Sequence, residues 1–284
     1  MVGRPLREAP GAGPGGGAAP GADGRLRVAT YNFLHGGSKR RGGHWSRLVR
    51  ELAPDLLLAQ ECRRPEAAPG EDFRPSPADT LVWAPAGPAG WGTALYGRSL
   101  AATPIDVPDF RGWVAGAELP AAAAPAGRPL RVFSVHCPAG ERGYVRTMGE
   151  ILDRLAPYGD GADLVIGGDL NVVVGVRGPD EPVRMSRGER ELLARLAGEL
   201  GLIPCWQTAN PGLPLAQTLR WSANRAAPYH CDGIFVPAAW APALVACRVV
   251  SGPAWDALSD HNPVVAIFDV SVLGAARGAP LDPA

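Results

Sequence analysis

A chain of 284 residues with 28 basic and 28 acidic side chains has no formal net charge, which excludes polyanion binding by bulk charge and leaves only a local basic patch. Hydrophobic residues make up 46% of it, enough for a sizeable core, yet no run approaches the ~18 apolar residues of a membrane helix. The five cysteines (Cys62, Cys137, Cys205, Cys231 and Cys247) form no C-x-x-C pair, which argues against a disulfide framework or a thiolate zinc site and for small buried hydrophobes in a reducing compartment.

Residues 1–24 are rich in Gly, Ala and Pro and are expected to be a disordered tail; they carry no apolar h-region of a signal peptide. A soluble, cytoplasmic, monomeric protein without a membrane partner is therefore expected. Leu26–Asn32 predicts a strand, Trp45–Ala53 a helix closed by Pro54, and Asp55–Gln60 a buried strand. Short strands are predicted at Leu81–Trp83, Thr93–Gly97, Val114–Glu118 and Leu130–Val135. Gly143–Leu155 reads as an amphipathic helix with Val145, Met148, Ile151, Leu152 and Leu155 on one stripe. Leu164–Gly167 is a strand, Glu189–Leu200 a helix, and Cys231–Val236, Leu244–Val250 and Val264–Val270 are the last strands. The chain is expected to form one domain over 25–271, with 272–284 a second disordered tail. Many strands with few helices suggest an α+β protein of two sheets packed face to face, because a parallel α/β sheet needs a helix at almost every crossover.

Polar residues gather where the apolar runs end. Asp169 and Asn171 follow Leu164-Val165-Ile166, with Gly167 and Gly168 between. A spacing of two puts both side chains on one side of a strand end, where carboxylate and carboxamide can hold a water and a phosphoryl oxygen. The double glycine lets a backbone or ligand approach closely, although an Asx turn would use the same residues. Glu61 ends Leu56–Gln60 either as a solvated cap or as a ligand for a hard cation such as Mg²⁺, which takes carboxylate oxygens and keeps waters. Asn32 would add a neutral atom beside that metal. Arg63 could reach a phosphate with its fork of donors, or simply be solvated.

His136 ends Leu130–Val135, and His261 follows Asp260 just before the last strand. Phosphodiester cleavage needs a base for water or an acid for the leaving oxygen, and imidazole titrates in the right range. His35 and His44 read as loop residues near the site at most, and His230 lacks such support. Asp232 enters an apolar strand, where an unpaired carboxylate is costly. Pairing with His261 would satisfy it and fix that ring's tautomer; the alternative is a surface ion pair at the sheet edge.

Six segments appear in order: Ala29-Thr30-Tyr31-Asn32, Leu58-Ala59-Gln60-Glu61, Ser134-Val135-His136, Gly167-Gly168-Asp169-Leu170-Asn171, Asp232-Gly233-Ile234-Phe235-Val236 and Ser259-Asp260-His261. Together they resemble the endonuclease/exonuclease/phosphatase superfamily of metal-dependent phosphohydrolases over about residues 25–271. The resemblance implies a four-layer α/β/β/α sandwich of two packed mixed sheets. It implies Mg²⁺ or Mn²⁺ held chiefly by Glu61, with Asn32 and Asp260 close to the metal. Asp169 and Asn171 would then orient the attacking water and a phosphoryl oxygen. His261, oriented by Asp232, would be the general base or the phosphate-stabilising histidine, and His136 a donor to the phosphate or an acid. Two departures stand out. Ser134-Val135-His136 replaces the Tyr-x-Pro-Asn type of segment of apurinic endonucleases, and Trp91-Gly92-Thr93-Ala94-Leu95-Tyr96-Gly97-Arg98 lacks the carboxylate that supports the equivalent of His136 in the deoxyribonuclease-like branch.

Substrate choice belongs to the loops Pro65–Pro77, Glu141–Arg146, Val174–Arg187 and Gln217–Pro228. In the last, Arg220, Trp221 and Arg225 could stack on a base and touch phosphate, or form a packed hairpin tip. Arg177, Arg184 and Arg187 could add a local basic rim. The first reading is a nuclease-type phosphodiesterase with nucleic acid as a possible partner. The alternative is a phosphatase or phosphodiesterase acting on a nucleotide, sugar or lipid headgroup, and the third is a non-catalytic binding protein.

Overall fold

The computed structural model describes residues 23–36, 42–178, 181 and 183–275. In chain order the main elements are β1 (Arg25–Asn32), α1 (His44–Arg47), β2 (Leu56–Cys62), β3 (Thr80–Pro85), β4 (Gly92–Gly97), β5 (Thr103–Ile105), β6 (Val114–Leu119), β7 (Leu130–His136), α2 (Tyr144–Leu155), β8 (Asp163–Asp169), α3 (Arg187–Gly198), β9 (Leu202–Pro204), α4 (Cys205–Ala209), β10 (Asp232–Pro237), β11 (Leu244–Val249), α5 (Pro253–Asp256), β12 (Val264–Asp269) and α6 (Val270–Ala275). The strands form two six-stranded sheets, ordered β11-β12-β1-β2-β4-β3 and β5-β6-β7-β8-β10-β9. Within them β1–β2 and β7–β8 run parallel and every other pair antiparallel, so both sheets are mixed.

Strand alternation sorts the apolar side chains into three layers of core. Leu26, Val28, Leu56 and Leu58 of the first sheet meet Val132, Val165, Ile234 and Val236 of the second. On the outer face of the first sheet, Ala29, Tyr31, Leu57 and Ala59 pack under Trp45, Leu48 and Trp255. On the outer face of the second, Phe133, Val135, Leu164 and Ile166 lie under Met148, Ile151 and Leu155 of α2 and Leu192 and Leu196 of α3. Helix, sheet, sheet, helix is the layering that results.

Facing strands meet in pairs across the middle layer: β4 on β6, β2 on β7, β1 on β8 and β12 on β10. At one edge of the sandwich these eight strands end or begin together, because the parallel strands finish where their antiparallel neighbours start. Asn32, Glu61, His136, Asp169, Asp232 and His261 are thereby delivered to one edge.

Several boundaries differ from expectation for local reasons. The helix predicted over Trp45–Ala53 is a four-residue α-turn that widens into a π-helix over Leu48–Leu52, closed by Ala53 at φ 44°. The helix predicted from Glu189 starts at Arg187, because Ser186 and Glu189 form a reciprocal capping box. The three-residue strands β5 and β9 lie at sheet edges and are too short to show a period of two. The ordered chain also continues past 271: α6 runs to Ala275 and buries Leu273 in the inter-sheet core. Residues 1–22 and 276–284 of the expected tails lie outside the described residues.

At the opposite edge Asp55, fully buried, accepts the backbone N–H of Arg27 at 2.8 Å and pairs with the Arg98 guanidinium at 2.6 Å. One carboxylate therefore joins β1, the start of β2 and the end of β4. Asp55→Ala leaves a buried N–H and a half-buried guanidinium without it, and should lower unfolding free energy by about 2–4 kcal/mol in urea titrations; an unchanged midpoint would contradict this role.

Candidate active site

The groups at the shared edge form two facing rows, one from each sheet. The first sheet contributes, in strand order, Trp91 before β4, Glu61 at the end of β2, Asn32 at the end of β1 and His261 before β12. The second contributes Trp113 before β6, His136 ending β7, Asp169 ending β8 and Asp232 opening β10. Each member meets its counterpart. Trp91 and Trp113 lie edge to face at 5.6 Å, Glu61 Oε1 is 3.5 Å from His136 Nε2, Asn32 Nδ2 is 3.0 Å from Asp169 Oδ2, and His261 Nδ1 is 2.9 Å from Asp232 Oδ2.

Beneath the rows lies a buried polar layer. Gln60 accepts from Thr30 Oγ1 at 3.2 Å and donates to Ser134 Oγ and to the Leu58 carbonyl, each at 3.0 Å. These three side chains are fully buried, and their mutual bonds meet the cost of placing polar atoms beside the inter-sheet core.

Glu61 faces the site because the backbone makes it do so. Simple alternation would turn it to the outer face with Leu57 and Ala59, but β2 bulges against β4 between Ala59 and Cys62, and Glu61 adopts φ 48°. Its Oε1 then lies 3.1 Å from Asn32 Nδ2, while Oε2 accepts the His35 backbone N–H and ring Nδ1, both at 2.8 Å. Leu34, His35, Glu61 and Asn171 account for four of the six described non-glycine residues with positive φ, so backbone strain is concentrated at this edge.

Asp169 reaches the first sheet through the glycines before it. A Cβ on Gly167 would stand 2.6 Å from Leu58 of the facing sheet, and one on Gly168 1.8 Å from the Val135 carbonyl oxygen. Asp169 accepts from Asn32 Nδ2 and, at 3.1 Å, from the Asn171 backbone N–H; Asn171 Nδ2 donates to the Cys137 carbonyl at 3.0 Å. Burial and the neighbouring Asp232 charge push the Asp169 carboxyl above its ordinary range, against the pull of His261 and His136.

The Asp232–His261 pairing expected from the cost of a buried carboxylate is present, with both carboxylate oxygens within 3.0 Å of Nδ1. It is no surface ion pair: Asp232 is fully buried and takes its position from Thr218, whose hydroxyl accepts the backbone N–H groups of Cys231 and Asp232. Burial alone would lower the His261 imidazole, but Asp232 and Asp169 outweigh it and raise it to about 10. Its Nε2 lies 3.8 Å from Asp169 Oδ2 and 4.0 Å from Asp260 Oδ1.

His136 lacks the carboxylate support noted as missing from the sequence. Its Nδ1 is buried and has no hydrogen-bond partner among the described residues, and its ring lies 5.1 Å from Trp113 and 6.0 Å from Trp91. Indoles thus stand where an acid was absent.

Of the residues expected to contact substrate, Arg220 is held by the protein itself. It is buried and turns inward, donating to the Ser259 carbonyl at 2.6 Å, to the Asn262 side chain and to the His261 carbonyl at 3.3 Å. Planar donors converging on three acceptors staple the Gln217–Pro228 loop to the segment that carries His261. Trp221 is 49% exposed, with its ring 5.8 Å from Tyr229, and Arg225 is exposed near the loop tip. Arg63 packs beside Gly36 and Gly90, with its Nε buried and unpartnered. Arg177 and Arg187 are taken up by Glu181 and Glu191. Sequence reasoning missed the contacts of His35 with Glu61, the flanking of His136 by Trp113, and the anchoring by Thr218 and Ser259, whose hydroxyl donates to the Asn32 carbonyl at 2.8 Å. Only the Trp91 segment carried a signal, the absent carboxylate.

Among the described residues, ligand atoms of Asp169, Cys231, Asp232 and His261 lie within 4.8 Å of one another, a group that could hold a metal ion. Asp260 Oδ1 is buried with no hydrogen-bond partner. No described helix is long and apolar enough to cross a membrane, and all five cysteines are free and buried.

No protein-family model and no curated protein matches the chain. Solved structures do match. An AP endonuclease from Leishmania major superposes with TM-score 0.63 at 17% identity, covering 86% of this chain and 88% of that one. A 3′ phosphatase from Neisseria bound to product DNA hairpin gives 0.57 at 21% identity, covering 86% and 99%. The endonuclease/exonuclease/phosphatase from Bacteroides vulgatus gives 0.61 at 17%, covering 86% and 98%. At these identities the likeness establishes the fold, which is the four-layer α/β/β/α sandwich of endonuclease/exonuclease/phosphatase structures.

In metal-free protein the His261 imidazole titrates above the ~6.5 of a free ring. Its pairing therefore stabilises the fold fully below about pH 6.5, and this contribution fades as pH climbs towards 10. Urea unfolding in EDTA should show stability falling across that window, and His261→Gln should flatten the slope; identical slopes would mean the pair is not linked to folding.

Proposed function

We propose that the chain is a metal-dependent phosphoesterase, and specifically a nuclease-type phosphodiesterase. The observation that carries this reading is the pair of facing rows, which brings together three carboxylates (Glu61, Asp169 and Asp232), the Asn32 carboxamide and two imidazoles (His136 and His261). The AP endonucleases and the 3′ phosphatase that share the fold support the same class of chemistry.

Glu61, Asn32 and Asp260 are the residues that would hold a hard divalent cation such as Mg²⁺ or Mn²⁺. Asp260 offers a buried carboxylate oxygen without a donor, and Glu61 presents Oε1 beside Asn32. Such an ion would supply charge stabilisation to the phosphoryl oxygens and lower the pKa of a bound water. The group of four around Cys231 suits it less: burial and Asp232 hold the thiol far above its ordinary range, and Asp232 is engaged by His261.

The chain's own groups then divide the proton work. Asp169, a carboxylate raised towards neutrality, accepts a proton from the attacking water, with Asn171 fixing its position. The water oxygen forms the new P–O bond as the bond to the leaving oxygen breaks. His261 is an imidazolium at neutral pH in the metal-free protein, so its Nε2–H is suited to a phosphoryl oxygen rather than to abstracting a proton. His136 offers Nε2 from the other side of Asp169, 4.0 Å from its Oδ2.

Purified protein should cleave single-stranded DNA or RNA with Mg²⁺ or Mn²⁺ and not in EDTA. Asp169→Asn and Glu61→Gln should each lower kcat about 10²–10⁴-fold. Full activity in EDTA, or in Asp169→Asn, would remove the mechanism. Cleavage confined to small mono- or diesters would transfer the assignment to a metabolite phosphatase or phosphodiesterase.

A further inference from the structure

Both rows are closed by aromatic rings at each end. At the β4/β6 end stand Trp91 and Trp113, both half-buried, with the exposed ring of His35 5.3 Å from Trp91. At the β10/β12 end, Leu219 bridges to both His261 and Tyr229, and Trp221 stands edge-on to Tyr229. There Tyr144, Trp221 and Tyr229 line a cavity of about 510 Å³ that begins at Asn171 and Cys231. Three strand spacings separate the two aromatic ends, about 14 Å in all, and the phosphate-handling groups lie between them.

The charges along this trench favour stacking over phosphate tracking. Arg220 is buried in the loop staple and Arg177 in its pair with Glu181; Arg187 is exposed and paired with Glu191, and Arg184 is, among the described residues, the one exposed cation in the cavity lining. At the cavity wall His230 is buried, and its Nδ1 is engaged by the Ala216 carbonyl. A duplex held by its backbone needs rows of cations for successive phosphates. Exposed indole and phenol rings instead accept the face of any base that is not already stacked and paired.

We infer that the trench takes a phosphodiester with an unpaired base on each side of the scissile phosphate, the chemistry of single-stranded nucleic acid or a free dinucleotide, and that it disfavours a duplex. This rests on the phosphodiesterase reading above. Trp221 is a specificity-determining residue for one of the two bases, and Arg220 fixes the loop that carries its ring.

The test compares kcat/KM, with Mn²⁺, for a thymidine dinucleotide, the two analogues in which one nucleoside is replaced by an abasic tetrahydrofuran unit, a single-stranded oligonucleotide, its duplex, and methyl p-nitrophenyl phosphate. Removing either base should lower kcat/KM about tenfold or more, and the duplex should be slower than the single strand by a similar factor. Trp221→Ala should erase discrimination at one of the two base positions while keeping it at the other, and Trp221→Phe should restore it. In EDTA, single-stranded oligonucleotide should quench tryptophan fluorescence in the native protein more than in Trp221→Ala. Equal rates on duplex and single strand, or on the dinucleotide and its abasic analogues, overturn the inference while leaving the phosphodiesterase reading intact. If methyl p-nitrophenyl phosphate and every nucleotide substrate are inert, the phosphodiesterase reading falls and this inference with it.

Discussion

The Asn32 carboxamide joins the two halves of the molecule at the point where chemistry can occur. Its Nδ2 donates to Glu61 within its own sheet and to Asp169 across the sandwich, while its Oδ1 accepts the Leu34 backbone N–H. Two like-charged carboxylates so close would repel in a weakly screened interior; a neutral bidentate donor between them holds both without adding charge. Asn32 can do this only because β1 lies beside β2 in one sheet and faces β8 of the other. Its own carbonyl is tied by the Ser259 hydroxyl, whose oxygen also accepts the His261 backbone N–H at 3.1 Å. The strand-end amide and the histidine loop are thus set in one frame.

That frame depends on a graded interior. Moving along β1, β2 and β7 towards the edge, inward-facing residues change from Leu26, Val28, Leu56, Leu58 and Val132 to Thr30, Gln60 and Ser134, and then to Asn32 and His136. The intermediate layer has a clear physical purpose. A charged site set directly on an apolar core would leave the inner lone pairs of its carboxylates without donors, and a wet layer would raise the local dielectric and weaken the same interactions. Three side chains bonded to one another avoid both outcomes. Asp169 and Asp232 can then be buried and still be held, one by carboxamides and one by an imidazolium.

Much of this was legible in the sequence because burial and chemistry conflict in recognisable places. An acidic residue opening Asp232-Gly233-Ile234-Phe235-Val236 demands a partner, and a histidine elsewhere at a strand end supplies it. The strand ends Asn32, His136 and Asp169 were legible because apolar runs stop at them, and with them two facing sheets. The direction of Glu61 was not, since it depends on a bulge and a left-handed conformation that carry no mark in residue type. Arg220 beside Trp221 looks from sequence like a ligand contact. Its acceptors lie 39 to 42 positions away in the chain, and only the folded loop brings them together. The edge strands β5 and β9, with three residues each, are set by pairing rather than by any pattern of their own.

The two ends of the site therefore differ in how they are built. Glu61, Asn32, His136 and Asp169 sit on or directly at strands and are fixed by the sheets. His261 and Trp221 sit on loops, and their mutual position is fixed by Arg220 and by the bridge from Leu219. A change in the Gln217–Pro228 loop must consequently move the imidazole as well as the aromatic wall, because the same guanidinium grips the carbonyls of Ser259 and His261. Loops usually vary freely around a rigid catalytic core. Here one loop is bonded to the segment that carries His261, so the shape of that aromatic wall and the placement of the His261 imidazole are a single structural variable.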